Sequence, residues 1–194
     1  MNFLAHVYLS GNDPHLALGN LIADRIKGKD YINYPIPIQK GILLHREIDR
    51  FTDQHPCFKA CVSQLFPKYR HYSRVIVDMY FDHFLAKNWN QFHPTPLPDF
   101  TNDFYAFCKR NSIDFPPPLQ GFISALTQYD WFNLYGSRSG LERILKQMEK
   151  RTAFPSNLSA SVLDLKENYE YFSIHFFEFI KDIQIFTQNK INAL

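Results

Sequence analysis

Residues Gly41–Pro56, GILLHREIDRFTDQHP, constrain the fold more than any other stretch, because they set ionisable groups on a surface that has to be buried. His45, Asp49 and Asp53 stand four apart behind the apolar run Ile42-Leu43-Leu44, and steps of four keep side chains on one narrow stripe of a helix. Ile48 and Phe51 extend the apolar surface beside that stripe. Arg74–Trp89, RVIVDMYFDHFLAKNW, repeats the pattern, with Asp78 and Asp82 four apart and His83 adjoining, amid mostly apolar residues. Carboxylates and imidazoles are costly to bury without partners. Two arrangements supply them: a shared divalent cation, or ion pairs with arginine and lysine.

The rest of the chain reads as helices separated by turn signals. Met1–Ser10 (MNFLAHVYLS) is apolar apart from Asn2 and His6 and predicts a buried N-terminal helix. Asp13 as N-cap and Pro14 at the first helical position open a helix to Ile26 that stops at Gly28. Tyr31–Pro37 connects it to a central helix over Ile38–Asp53, followed by Cys57–Phe66, closed by Pro67, and Tyr72–Phe92. Pro94, Pro96 and Pro98 are expected to hold an extended linker before a helix over Asp99–Arg110, which Pro116–Pro118 ends. Leu119–Tyr135, Ser139–Arg151 and Leu158–Asn189 complete the series; in the last, apolar residues recur at three and four, and His175 reads as structural. No strand-like alternation, internal repeat, glycine-rich phosphate loop or Ser/Cys nucleophile setting interrupts it. The expected fold is all-α, a compact helical bundle forming one domain over residues 1–194.

Charge narrows the function classes. With 21 Lys/Arg against 19 Asp/Glu and 45% hydrophobic residues, the chain is neither disordered nor polybasic. A net +2 argues against a nucleic-acid partner held by the phosphate field. No run of about eighteen uninterrupted apolar residues predicts a membrane span, and His6, Asn12 and Asp13 interrupt any signal-peptide core. Cys57, Cys61 and Cys108 make an odd count without metal-binding spacing, which reads as free thiols in a reducing compartment. A soluble, cytoplasmic protein is expected. Asn20–Val75 nevertheless carries ten Lys/Arg against five Asp/Glu, an excess that suits an acidic substrate.

His6, Asp24, His45, Asp49, Asp78, Asp82 and His83 are the candidate metal ligands. A lone histidine on an apolar helix, such as His6, is either a packed core residue or a ligand. Asp24 sits on a helix C-terminal turn, where the macrodipole disfavours a carboxylate, so it needs either Arg25 or Lys27 or a metal beside it. Imidazoles and carboxylates without thiolate suit Mn²⁺, Mg²⁺ or Fe²⁺ better than structural zinc. Such a cation polarises a phosphoryl oxygen and lowers the pKa of bound water. A neighbouring carboxylate can then act as base, for which Asp24 and Asp49 are candidates, and an arginine such as Arg46 can neutralise the transferred group. Arg46 and Arg50 form an i, i+4 pair; this is either a solvated flank bridging Glu47 or Asp53, or a clamp on a phosphate or acidic partner.

MNFLAHVYLS, GNLIADRIKG, GILLHREIDRFTDQHP and the stretch from Tyr69 to Trp89 together resemble the acyl carrier protein phosphodiesterase family, an unusual relative of the HD phosphohydrolases. The resemblance runs in register from the first residue to about Trp89 and continues more loosely beyond. It implies an HD-domain-like helical fold and Mn²⁺-dependent hydrolysis of a phosphodiester, converting holo-acyl carrier protein into apo-protein and 4′-phosphopantetheine. On that footing the metal reading of Asp24 outweighs its salt bridge, and Arg25, Arg46 and Arg50 become candidates for binding phosphate or the acidic carrier protein. An ordinary HD site has a contiguous His-Asp pair, whereas this chain offers His45 and Asp49 one turn apart and the reversed Asp82-His83. The rival readings are an HD-type nucleotide phosphohydrolase and a non-catalytic helical adaptor for an acidic partner.

Overall fold

Helix starts follow the local chemistry of the chain. In the computed structural model, which describes residues 1–193, Asn2 accepts a 2.7 Å bond from Phe3 N–H and opens α1 (Phe3–Tyr8). Asp13 accepts from His15 and Leu16 N–H and opens α2 (Pro14–Ile22), with Pro14 in its first turn. Then follow α3 (Ile36–Gln54) and α4 (Pro56–Tyr69), which His55 caps by accepting from Cys57 N–H. Next come α5 (Ser73–Lys87), α6 (Leu97–Asn111), α7 (Pro117–Gln128) and α8 (Trp131–Leu134). The chain finishes with α9 (Arg138–Glu149), α10 (Ser161–Glu167) and α11 (Tyr169–Asn192). No strand occurs among the described residues, so the fold is all-α as expected. No helix among them is long and apolar enough to cross a membrane, and the three cysteines are buried free thiols.

Several boundaries differ from those read in the sequence. Pro67 does not close α4 but lies within it. Its missing N–H leaves the Ser63 carbonyl without an intrahelical donor, and both residues are exposed, so that carbonyl is open to solvent. Pro98, Pro117 and Pro118 likewise sit in first turns, where no intrahelical donor is needed. The helix expected to reach Ile26 tightens into a 3₁₀ turn at Ala23–Arg25, and that expected over Tyr72–Phe92 is α5 flanked by 3₁₀ turns. The expected helix over Leu119–Tyr135 breaks at Asp130, whose φ of 49° is left-handed, a conformation Asp tolerates better than most residues. The long one over Leu158–Asn189 breaks at Asn168, which separates α10 from α11.

One buried apolar cluster draws on every helix, from Leu4 in α1 to Phe176 in α11. Two contacts within it position the site. In the first, α2 and α3 touch backbone to backbone: a Cβ at Gly19 would lie 2.2 Å from the Ile38 carbonyl oxygen, and one at Gly41 would lie 2.1 Å from that of Leu16. Only glycine permits this approach. In the second, Asp82 of α5 accepts from Asn2, Leu4 and Ala5 N–H at 3.2, 2.9 and 3.4 Å, capping α1 from outside its own sequence. The two contacts aim α1, α2 and α3 at a common point.

Candidate metal centre

His6 of α1 and His45 of α3 meet at that point, almost fully buried and stacked with ring centroids 3.9 Å apart. Asn20 of α2 orders both. Its amide nitrogen donates to the His6 carbonyl and to Ser10 Oγ, each at 2.9 Å, which leaves Oδ1 as the acceptor. His6 Nδ1–H then donates to Asn20 Oδ1 at 2.8 Å, and His45 Nδ1–H donates to the Asn20 carbonyl at 2.9 Å. This network assigns the protons to Nδ1 and turns both Nε2 atoms toward the carboxylates, the arrangement that prepares imidazole for a cation.

Asp49, one turn beyond His45, places its oxygens 3.3 Å from His6 Nε2 and 3.1 Å from His45 Nε2. Asp24 approaches His45 Nε2 at 3.0 Å from the 3₁₀ turn after α2. One ligand atom each from His6, His45 and Asp49 lies within 4.8 Å of the others, a group that could hold a metal ion. The fit can be tested on one atom: His6 Nε2 is buried and has no hydrogen-bond partner among the described residues. With its proton on Nδ1, it directs a lone pair at the Asp49 carboxylate, which is repulsive unless a cation lies between them. The donor set fits a divalent metal.

Electrostatics agree. Burial opposes charge on His45, but hydrogen bonds to Asp24 and Asp49 outweigh it and raise its pKa to about 9. Burial and the neighbouring His45 charge lower His6 to about 4. Asp24 is lowered chiefly by its bond to His45, so it stays ionised. Asp49 is held far below the usual carboxylate range: burial would raise it, but its bond to His45 and the nearness of both imidazoles outweigh that. A single proton thus sits where a cation would.

The other sequence candidates are spread more widely. Asp78 lines the same cleft of about 250 Å³ as His6, His45, Asp49 and Asp24, and accepts a 2.6 Å bond from the Met1 amino group. Asp82 is fully buried as the cap of α1. His83 faces away and donates Nδ1–H to the Tyr135 carbonyl at 2.7 Å. Arg46 donates to the Gly28 carbonyl at 2.7 Å, tying down the loop after α2, and exposed Arg50 pairs with Glu47; neither lines the cleft. Arg25 lies over the Phe122 ring, 3.9 Å from its centroid, beside Asp24.

Three residues in or behind the cleft were given no functional role in the sequence. Asn20 shares a helix face with Asp24, but a buried amide among apolar residues carries no distinctive pattern. Arg74 pairs with Asp53 on the cleft wall. Thr52 lines it too, with a buried hydroxyl lacking a partner among the described residues, and follows Ile48 at the helical spacing of the His45 face.

Fold and site together define a class: an all-α protein with a buried histidine–carboxylate centre open to a small acidic cleft. The family model described as acyl carrier protein phosphodiesterase matches residues 1–183. Proteins named acyl carrier protein phosphodiesterase are similar along nearly the whole chain. That of Enterobacter sp. (strain 638) is 30% identical over 98% of this chain and 99% of its own, and that of Pectobacterium atrosepticum is 32% identical over 92% and 93%. The Yersinia pestis protein is 31% identical over 88% and 89%. The chain belongs to the acyl carrier protein phosphodiesterase family. No solved structure matches it.

Proposed function

We propose that this chain is a metal-dependent phosphodiesterase that removes the 4′-phosphopantetheine group from holo-acyl carrier protein. The observation that carries the reading is the orphaned Nε2 of His6, beside Asp49 and His45 in the wall of a cleft in a chain of this family. His6, His45 and Asp49 would hold the cation, with Asp24 beside them; the absence of thiolate suits Mn²⁺, Mg²⁺ or Fe²⁺, and the family resemblance favours Mn²⁺ among them. Bound there, a divalent ion polarises a phosphoryl oxygen and makes hydroxide available near neutral pH.

The chain's own groups supply the rest. Asp24 is ionised and more than half exposed, so it can accept the proton of the attacking water. The water oxygen bonds to phosphorus as the bond from phosphorus to the carrier serine oxygen breaks. That oxygen takes a proton to regenerate serine, and the phosphate leaves as the monoester of pantetheine. Arg25 and Arg74 lie beside the cleft, on the sides of Asp24 and Asp53, and offset the charge of the transferred phosphoryl group. Their placement, rather than that of Arg46 and Arg50, suits contact with the phosphate. The basic excess of Asn20–Val75 steers the acidic carrier protein.

The test incubates the purified chain and Mn²⁺ with holo-carrier protein and, in parallel, with mono- and dinucleotides. Conversion to apo-protein, read by gel mobility and mass, with loss in EDTA and recovery on adding Mn²⁺, is expected. Unchanged holo-carrier protein alongside hydrolysed nucleotides would overturn the assignment.

A further inference from the structure

Beside the metal cleft lies a larger pocket of about 420 Å³, and the two share Met1, Asp24 and Asp78 as walls. Its remaining lining is largely apolar, including Phe3, Val75, Met79, Ile144 and Met148. Two of the lining residues each carry a buried polar atom at its edge. Trp131 Nε1 and Tyr135 Oη are both buried, and neither has a hydrogen-bond partner among the described residues. They stand four residues apart at α8, so they share a side of that turn. Each lines this pocket.

A buried donor left unpaired is destabilising, so two along one pocket call for an explanation in a ligand. Packing holds both in place. Phe3 stacks on Trp131 with centroids 6.0 Å apart, and His83 grips the Tyr135 carbonyl. Arg25 and Arg151 supply positive charge at the same pocket.

We propose that this pocket receives the pantetheine arm of the substrate, with Trp131 Nε1–H and Tyr135 Oη–H donating to its two amide carbonyls. The assignment rests on the phosphodiesterase reading. A phosphate in the metal cleft puts the first atoms of its pantetheine substituent next to the shared wall of Met1, Asp24 and Asp78. The arm's chemistry matches what lies beyond: methyl and methylene groups for the apolar lining, and two carbonyl acceptors for two donors. A fatty acyl chain would leave both donors unpaired.

The experiment titrates the wild-type chain with pantetheine, which has no phosphate and so needs no metal, and reads heat and the fluorescence of its two tryptophans, Trp89 and Trp131. Saturable binding that competes with holo-carrier protein is expected. Tyr135→Phe and Trp131→Phe should each weaken pantetheine binding about three- to tenfold, the loss of one hydrogen bond. Tyr135→Phe should also leave the thermal midpoint of the free protein unchanged or raised, because it removes an unpaired buried hydroxyl; a purely structural tyrosine would lower it. Absence of pantetheine binding by a chain that does turn over holo-carrier protein overturns the pocket assignment. So does an unchanged affinity in both variants, or decanoate binding that displaces pantetheine and ignores both substitutions. Pantetheine binding by a chain that leaves holo-carrier protein intact removes the phosphodiesterase reading while supporting the pocket.

Discussion

At the scale of single residues, the centre depends on an amide that has no chemistry of its own. Asn20 cannot titrate, yet its two ends decide which nitrogen each imidazole presents to Asp49. Asn20→Ala is therefore expected to weaken Mn²⁺ binding by about 10- to 100-fold with little loss of helix, as measured by calorimetry and circular dichroism. An unchanged affinity would show that packing alone orients the rings.

The same residues impose a pH signature on the metal-free protein. His45 titrates near 9 in the fold against 6.5 in an open chain, so its contribution to stability is complete below 6.5 and fades as pH rises toward 9. His6 is shifted the other way, to about 4, so its contribution is complete above 6.5 and is lost as pH falls toward 4. Asp24 and Asp49, both lowered, add to the loss on the acid side. Thermal midpoints in EDTA should peak near neutrality and decline on both sides. With Mn²⁺ the alkaline decline should disappear, because the cation replaces the His45 proton. A midpoint that climbs steadily from pH 6.5 to 9 in EDTA would contradict the proton placement.

At the scale of helices, the close crossing of α2 and α3 brings Asn20 and Asp24 to His45. Alanine is intrinsically the better helix former by about 1 kcal/mol, but at Gly41 its methyl would meet the Leu16 carbonyl at 2.1 Å. Gly41→Ala should therefore cost about 1–3 kcal/mol in denaturant unfolding and also weaken metal binding, since the helices must separate. Stability and affinity falling together is the diagnostic result; a stabilised variant would disprove the backbone contact. The anchor of α1 is a separate device. Asp82→Ala would strip three N–H groups of their acceptor in a fully buried place, with an expected loss of at least about 2 kcal/mol. Because α1 carries His6, Mn²⁺ affinity should fall as well, although Asp82 touches no ligand atom of the group.

Helix boundaries show where local reading fails. Proline marks a break when its missing N–H would have been used, and in first turns it was not. Pro98, Pro117 and Pro118 thus begin helices that their residue type alone suggested they interrupt. Conversely, Asp130 and Asn168 end helices with no glycine or proline nearby. Their side chains hydrogen-bond locally, Asp130 accepting from Asn133 and Asn168 donating to the Asp164 carbonyl, and such competition with the helix is only weakly encoded by residue type.

At the scale of the whole molecule, a cation at the centre would link α1 to α3, segments brought together only by folding. Ligand binding to the native state alone raises stability by about 2.7 kcal/mol at a hundredfold excess over Kd. Mn²⁺ should therefore raise the thermal midpoint of the chain, and EDTA should reverse the shift. A midpoint indifferent to both would mean that the His6–His45–Asp49 group is a proton-linked structural cluster.

The sequence by itself determined that the chain is all-helical, because apolar periodicity and N-caps act within a few residues of one another. It also determined that His45 and Asp49 share a face, since their spacing is local. It marked Asp78 and Asp82 as a similar pair on a second apolar helix, but it could not say what each would meet. Tertiary structure alone decided that Asp82 caps α1, that Asp78 lines the cleft at the Met1 amino group, and that Arg46 ties down a loop. It alone brought Asn20 between two imidazoles and left Trp131 and Tyr135 unpaired along one pocket. The physical reason is the range of the interactions: a helix is specified by neighbours along the chain, whereas the partner of a buried polar group is chosen by whatever the packing of distant helices sets against it.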